Sequence, residues 1–245
     1  MGMLFLINLT IKACSLYLIQ FGTGLLVRHK GIKVNYTRKI NHFSLFIIPT
    51  YVDRVFAYQE SFGLFIFSAL LVVLSPAIYL RPIRKHCSAV NTMFLSFDRP
   101  EDRPHTLLWL STQILAGFLV IVPMVILFAH HDLLDLILIP ILINGIGDGL
   151  AEPVGIRFGR HPYGVRALFT RKRYYRTLEG SACVFITAIV VIALHHSFFT
   201  SLQYGIALAL LPMLMTLAEA FSPHTWDTPF LFLVGYLTLF GIAML

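Results

Sequence analysis

Two stretches of this chain concentrate side chains that can do chemistry. Residues 144–181 read NGIGDGLAEPVGIRFGRHPYGVRALFTRKRYYRTLEGS. The carboxylates Asp148 and Glu152 come first, directly after an apolar run, where an unpaired charge is costly and normally has a partner or a task. Behind them follow Arg157, Arg160, His161, Arg166, Arg171, Lys172, Arg173 and Arg176, interleaved with Gly155, Gly159 and Gly164. Guanidinium groups bind phosphate through paired hydrogen bonds, and glycines let backbone N–H groups come close, so a polyphosphate site is one reading. The plainer alternatives are carboxylates that pair with nearby arginines and a basic loop that sets topology or touches anionic lipid.

The second stretch, Glu219-Ala220-Phe221-Ser222-Pro223-His224-Thr225-Trp226-Asp227, holds two carboxylates and a histidine but no Lys or Arg. Carboxylates from separate segments, joined by substrate phosphates, are the usual holders of a divalent cation such as magnesium. A capping Asp227 and a surface His224 are the alternative. Glu179 lies just after Thr177, a residue type that caps helix N-termini, and suits the positive end of a helix dipole. Upstream, Arg38, Lys39 and His42 precede another apolar run. They read either as basic anchors or, with Asn41, as contributors to the same site.

The elements that position these residues must be membrane helices. Of 245 residues, 57% are hydrophobic and 13% charged, with a mean hydropathy of +0.77, against about 45–50% and about 25% in soluble domains. Such a chain is neither disordered nor disulfide-stapled. Apolar length places spans near 3 to 27, 42 to 57, 61 to 80, 107 to 129, 133 to 147, 178 to 198, 201 to 220 and 229 to 245. The fold class is therefore all-α, a polytopic transmembrane helical bundle of seven or eight spans in one domain covering residues 1–245. The second and fifth spans, one broken by Pro49 and one short, are the candidates for re-entrant segments.

Three loops, 28 to 41, 81 to 105 and 148 to 177, carry five, five and seven Lys or Arg, 17 of the 19 in the chain. The positive-inside rule puts them and the 221 to 228 turn in the cytoplasm, with both termini outside. The formal net charge of +7 thus reports topology and not nucleic-acid binding. Cys14, Cys87 and Cys183 lack metal or redox spacing and read as reduced thiols, and the first apolar run lacks the features of a removed signal peptide. At its 15 residues the fifth span reaches only about 22 Å, so Gly145-Ile146-Gly147-Asp148-Gly149 is expected as non-helical backbone lining a polar cavity. Val90, Met93, Phe94 and Phe97 recur at helical spacing, which predicts a short helix lying on the membrane surface.

P-loop, GxGxxG, HExxH, GxSxG and protein-kinase motifs are absent from the sequence, which leaves a membrane-embedded site for any nucleotide chemistry. The run from Gly147 to Gly155, then Arg157-Phe158-Gly159-Arg160-His161 and Leu178-Glu179-Gly180-Ser181, resembles the dolichol kinase and phytol kinase family of CTP-dependent lipid-alcohol kinases. That superfamily is related to the phosphatidate cytidylyltransferases. Arg38-Lys39 with His42, and the Glu219, Ser222-Pro223-His224, Asp227 cluster, extend the similarity. The cytidylyltransferases usually carry a longer His-Gly-Gly and Asp-Arg-x-Asp element where this chain has Ser222 to Asp227, which favours the kinases.

The resemblance implies one Mg-CTP site on the cytoplasmic face of a multi-pass protein, expected in a bacterial inner membrane. Its metal ligands would be Asp148, Asp227 and Glu219, with Mg2+ as cofactor and CTP as co-substrate. Gly155, Arg157, Gly159, Arg160, His161, Arg38 and Lys39 would bind the nucleotide. Asp148, Glu152, Glu179 and His42 are the catalytic candidates, and which of them serves the acceptor hydroxyl is open. The expected reaction moves the γ-phosphate to a polyprenol, a phytol-like isoprenoid or diacylglycerol. Transfer of CMP to phosphatidate with release of pyrophosphate is the alternative, and an anionic-solute transporter the third. Expected partners are CTP, a lipid alcohol or lipid phosphate, the bilayer and a second copy of the chain, with no nucleic acid.

Overall fold

A computed structural model describes residues 2–59 and 61–245. By its internal contacts the chain divides into a first unit ending at Ile114 and a second from Leu115 to Leu245. Among the described residues, five helices are long and apolar enough to cross a membrane: Gly2–Lys30, Phe62–Tyr79, Thr106–His130, Leu134–Phe158 and Ser201–Phe221.

The first unit opens with α1 (Gly2–Lys30) and α2 (Val34–Val55). Gly31, at φ +62°, ends α1 in the left-handed region, where glycine pays no Cβ penalty. The expected 28 to 41 loop is thus three residues, 31–33, because both helices run on through the basic residues. Because α2 carries Arg38, Lys39, His42, Asp53 and Arg54, it is not among the apolar crossing helices. Lys12 of α1 lies 2.5 Å from Asp53, which also accepts a hydrogen bond from Asn8 at 2.9 Å. The Lys12 charge inside this apolar helix is therefore matched by a carboxylate.

Next come α3 (Phe62–Leu74), lengthened by a tighter turn over Ser75–Tyr79, then α4 (Arg81–His86) and α5 (Ser88–Leu95). The helix expected around residues 90–97 is present, but not as a surface element. Val90, Met93, Phe94 and Phe97 are buried with Tyr79 against Tyr17 and Phe21, which leaves that face nothing to offer lipid. A Cβ on Gly24 of α1 would collide with the Thr92 carbonyl, so only glycine permits this crossing. Beneath it Thr23 donates to Asn41, Asn41 to Ser96 at 2.8 Å, and Thr37 to the Ser96 carbonyl at 3.0 Å. Asn41 is thereby committed to the core of its own unit.

The helix α6 (Thr106–His130) contains the boundary between the units. Beyond it the structure departs most from the expected course. The fifth span does not stop at Gly147: α7 (Leu138–Leu142) runs into a wide π-helical segment, Ile143–Asp148, and on into α8 (Gly149–Phe158). Helical geometry thus persists over Leu134–Phe158, 25 residues or about 37 Å, long enough to cross. Pro140 and Pro153 each withhold a backbone donor, and a widened turn absorbs such a mismatch without breaking the helix.

The fold is all-α, as expected, and the 148 to 177 loop adds a small hairpin to it, in which β1 (Pro162–Arg166) and β2 (Arg173–Thr177) pair antiparallel, Tyr163 opposite Arg176 and Val165 opposite Tyr174. The remaining helices are α9 (Leu178–Leu194), α10 (Ser201–Phe221) and α11 (Asp227–Ala243). α9 packs on α8 and α10, and α10 on α11, around Val184, Ala188, Ile192, Leu211, Met215, Leu231 and Tyr236. The crossing of the π segment with α9 is set by Gly147, where an added Cβ would lie 2.9 Å from the Val184 Cα. Gly147→Ala should therefore destabilise the protein by about 1–3 kcal/mol. Gly241→Ala, with nothing within 4 Å, should leave the thermal unfolding temperature near wild type.

Candidate active site

The centre of the second unit's polar end is a guanidinium. Arg176 on β2 is 13% exposed and lies 3.3 Å from the Glu219 carboxylate and 3.7 Å from that of Asp227. Its Nη1 also donates to the Ser222 hydroxyl at 3.0 Å and to the Glu219 carbonyl. Burial pulls the Arg176 pKa down, but the charges of Asp227, Glu219 and Asp148 outweigh it and hold the group above its ordinary value. The cation is permanent.

Local structure explains the convergence. Glu219 closes the last turn of α10 and Asp227 opens α11, so the short 222–226 turn brings both to one place. Asp148 ends the π segment and Glu152 follows one turn later, partly buried, in α8. Thr177 caps α9 by accepting from the Gly180 amide at 3.1 Å, which sets Ser181 in the first turn. Ser181 donates to Glu219 Oε2 at 2.6 Å and lies 2.6 Å from the Tyr163 hydroxyl. Since the carboxylate takes the Ser181 proton, Tyr163 is the donor to Ser181. Burial, then the Glu219 charge, push the Tyr163 phenol above its ordinary pKa, keeping that proton in place. Strand register does the rest: Tyr163 and Arg176 are directly opposite, so both reach the same cluster.

Beside this cluster opens a cavity of about 540 Å³ lined by Arg157, Phe158, Gly159, Arg160, His161 and Glu179. Glu179 clasps His161, its Oε1 2.7 Å from Nδ1 and its Oε2 accepting the His161 amide at 3.4 Å. The ring is thereby oriented, with Nε2 left for a ligand. The last turn of a helix, where Arg157 sits, favours cations through its exposed carbonyls. Gly155 and Gly159 have packing roles in this arrangement. A Cβ at Gly155 would lie 2.7 Å from Thr177 Oγ1, one at Gly159 would strike Thr177, and the Gly159 amide is already bonded to the Gly155 carbonyl at 3.0 Å.

Of the residues singled out in the sequence, Asp148, Glu219 and Asp227 converge, and Arg157, Gly159, Arg160, His161 and Glu179 line the adjoining cavity. Arg38, Lys39 and His42 belong to the first unit. There Lys39 is 4% exposed and His42 lies against Phe46, ring centroids 5.0 Å apart. His224 is held by both its ring and its backbone: the ring stacks on Tyr174 at 3.6 Å and the amide donates to the Arg166 carbonyl at 2.7 Å. Of the cluster's other members, Tyr163 is not singled out in the sequence, while Arg176 reads there only as one of the loop's cations and Ser181 only as part of the 178–181 motif. Tyr163 and Val165 at alternate positions, between Pro162 and Arg166, were the available sign of a strand.

The donor types suit magnesium, but their arrangement suits a guanidinium. Arg176 stands between Glu219 and Asp227, and among the described residues no three or more His, Cys, Asp or Glu side chains are grouped to hold a metal ion. Fold and site together define a largely helical chain, with helices long and apolar enough to cross a membrane and, in its second unit, a carboxylate cluster beside a basic cavity. Compared with known proteins, the chain matches no family model, no curated sequence and no solved structure.

Proposed function

We propose that this is a multi-pass membrane enzyme that transfers the γ-phosphate of CTP to a lipid alcohol, giving CDP and a lipid phosphate. The observation that carries the reading is the adjacency of the two halves. Glu179 in the cavity and Ser181 in the cluster lie within one turn at the start of α9. A triphosphate held by Arg157, Arg160 and His161 is thus next to carboxylates that can take a proton. The polyprenol, phytol-like or diacylglycerol acceptor, the choice of CTP and the cytoplasmic sidedness come from the motif resemblance and the basic loops. The span count in this reading is seven or eight.

Phosphoryl transfer asks mainly for positioning and charge neutralisation. The acceptor oxygen forms its bond to the γ-phosphorus, the bridging bond to the β-phosphate breaks, and the hydroxyl proton passes to a carboxylate of the cluster. Cavity cations neutralise the phosphates, and Glu179 keeps His161 turned toward them. Asp148, Glu219 and Asp227 are the side chains that would hold a magnesium ion, in competition with Arg176, and such an ion would add charge neutralisation on the triphosphate. Arg157→Gln with Arg160→Gln should raise the nucleotide KM at least about tenfold, with kcat changed far less. Initial rates over a range of CTP check this.

Product analysis tests the proposal. Purified protein is given magnesium, CTP and a pool of lipid alcohols with phosphatidate. CDP with a new lipid phosphate is expected. Pyrophosphate with a CMP-bearing lipid would replace the kinase by a cytidylyltransferase, and neither product across a broad lipid panel would return the anionic-solute transporter.

A further inference from the structure

We propose that the tip of the β1–β2 hairpin docks on a negatively charged lipid surface, a role separate from the nucleotide cavity. Between Glu152 and Glu179 the sequence holds seven Lys or Arg and no acid, and the structure sorts these cations into distinct groups. Arg157 and Arg160 line the cavity, and Arg176 is bound inside the carboxylate cluster. The other four, Arg166, Arg171, Lys172 and Arg173, are exposed around the hairpin turn. Two apolar side chains share that turn, Leu168 at 49% and Phe169 at 43% exposure.

The hairpin does not stand away from the helix ends. From base to tip it is fastened along the turn between α10 and α11: Arg176 to Glu219 and Ser222, the Arg166 carbonyl to the His224 amide, Tyr174 to the His224 ring, and Phe169 to Trp226, centroids 6.4 Å apart. It springs from the end of α8 and the start of α9, both apolar helices. The tip is therefore held at the level where these helices end. Apolar side chains beside clustered cations at that level match the two attractions of an interfacial anchor, insertion at the headgroup boundary and charge complementarity to anionic lipid.

The test uses the full chain with Trp109→Phe and Trp226→Phe, and Leu168→Trp as reporter, with Phe169→Trp as a second, independent one. Each is reconstituted into phosphatidylcholine bilayers or bilayers with about 30 mol% phosphatidylglycerol, using lipids brominated near the carbonyls. Bromolipid quenching is expected to be at least about twofold stronger with the anionic lipid and to lose that excess in about 0.5 M salt. Arg171→Gln, Lys172→Gln and Arg173→Gln together should also abolish the excess. Water-like emission without quenching in either bilayer, or equal quenching in both, would overturn the proposal. So would soluble CTP shifting the emission in phosphatidylcholine as strongly as anionic lipid does. Because the readout is quenching and not turnover, its failure leaves the kinase proposal standing, and the reverse also holds.

Discussion

Asp148→Asn is expected to lower kcat at least about a hundredfold while leaving the protein folded and membrane-inserted. Asp148 is 3% exposed at the end of the π segment, and its charge is felt by both Arg176 and Glu219. Asparagine keeps the shape and one acceptor oxygen, so helix packing survives. What is lost is the charge that balances the guanidinium and accepts a proton or faces a cation. Asp227→Asn, which removes one of the two ion pairs to Arg176, should act in the same direction. Turnover of both variants, with circular dichroism and thermal unfolding as folding controls, checks the assignment. Near-normal turnover in both would show that these carboxylates do no chemistry.

Arg176→Ala should be the most destabilising single change in the second unit, at about 3–5 kcal/mol. It leaves Glu219 and Asp227 facing each other without a counter-charge and strips Ser222 of its donor. The base of the hairpin loses its attachment at the same time. Arg176→Lys keeps the charge but lacks the planar fork, so its stability should fall between the two. Thermal unfolding and proteolysis within residues 162–177 measure both effects. An Arg176→Ala protein with wild-type melting and an intact hairpin would refute the view that this guanidinium holds the cluster together.

Long apolar runs were legible because hydrocarbon thickness imposes a length on every crossing helix, and α1, α6 and α10 fall close to where composition places them. The carboxylates were legible for the related reason that charge at a membrane boundary requires explanation. Gly145, Gly147 and Gly149 misled because glycine permits both a chain break and a close helix crossing. Only the presence of Val184 opposite Gly147 decides between them. The hairpin was masked by its own cations, since Arg166, Arg173 and Arg176 hide the alternation of Tyr163, Val165 and Tyr174. Arg176 was indistinguishable from its neighbours in a basic run, because what sets it apart is the strand register that turns it toward Glu219. Lys12 found its partner in Asp53, 41 residues away, a pairing that no local pattern announces.

The fate of each CTP phosphorus separates γ-phosphoryl transfer from transfer of CMP. Protein, magnesium and lipid alcohol are incubated with CTP labelled at the γ or at the α phosphorus, and the lipid is extracted and counted. Label is expected in the lipid from the γ position alone, and is expected to be lost in Asp148→Asn. Label from the α position, or from neither, would contradict it.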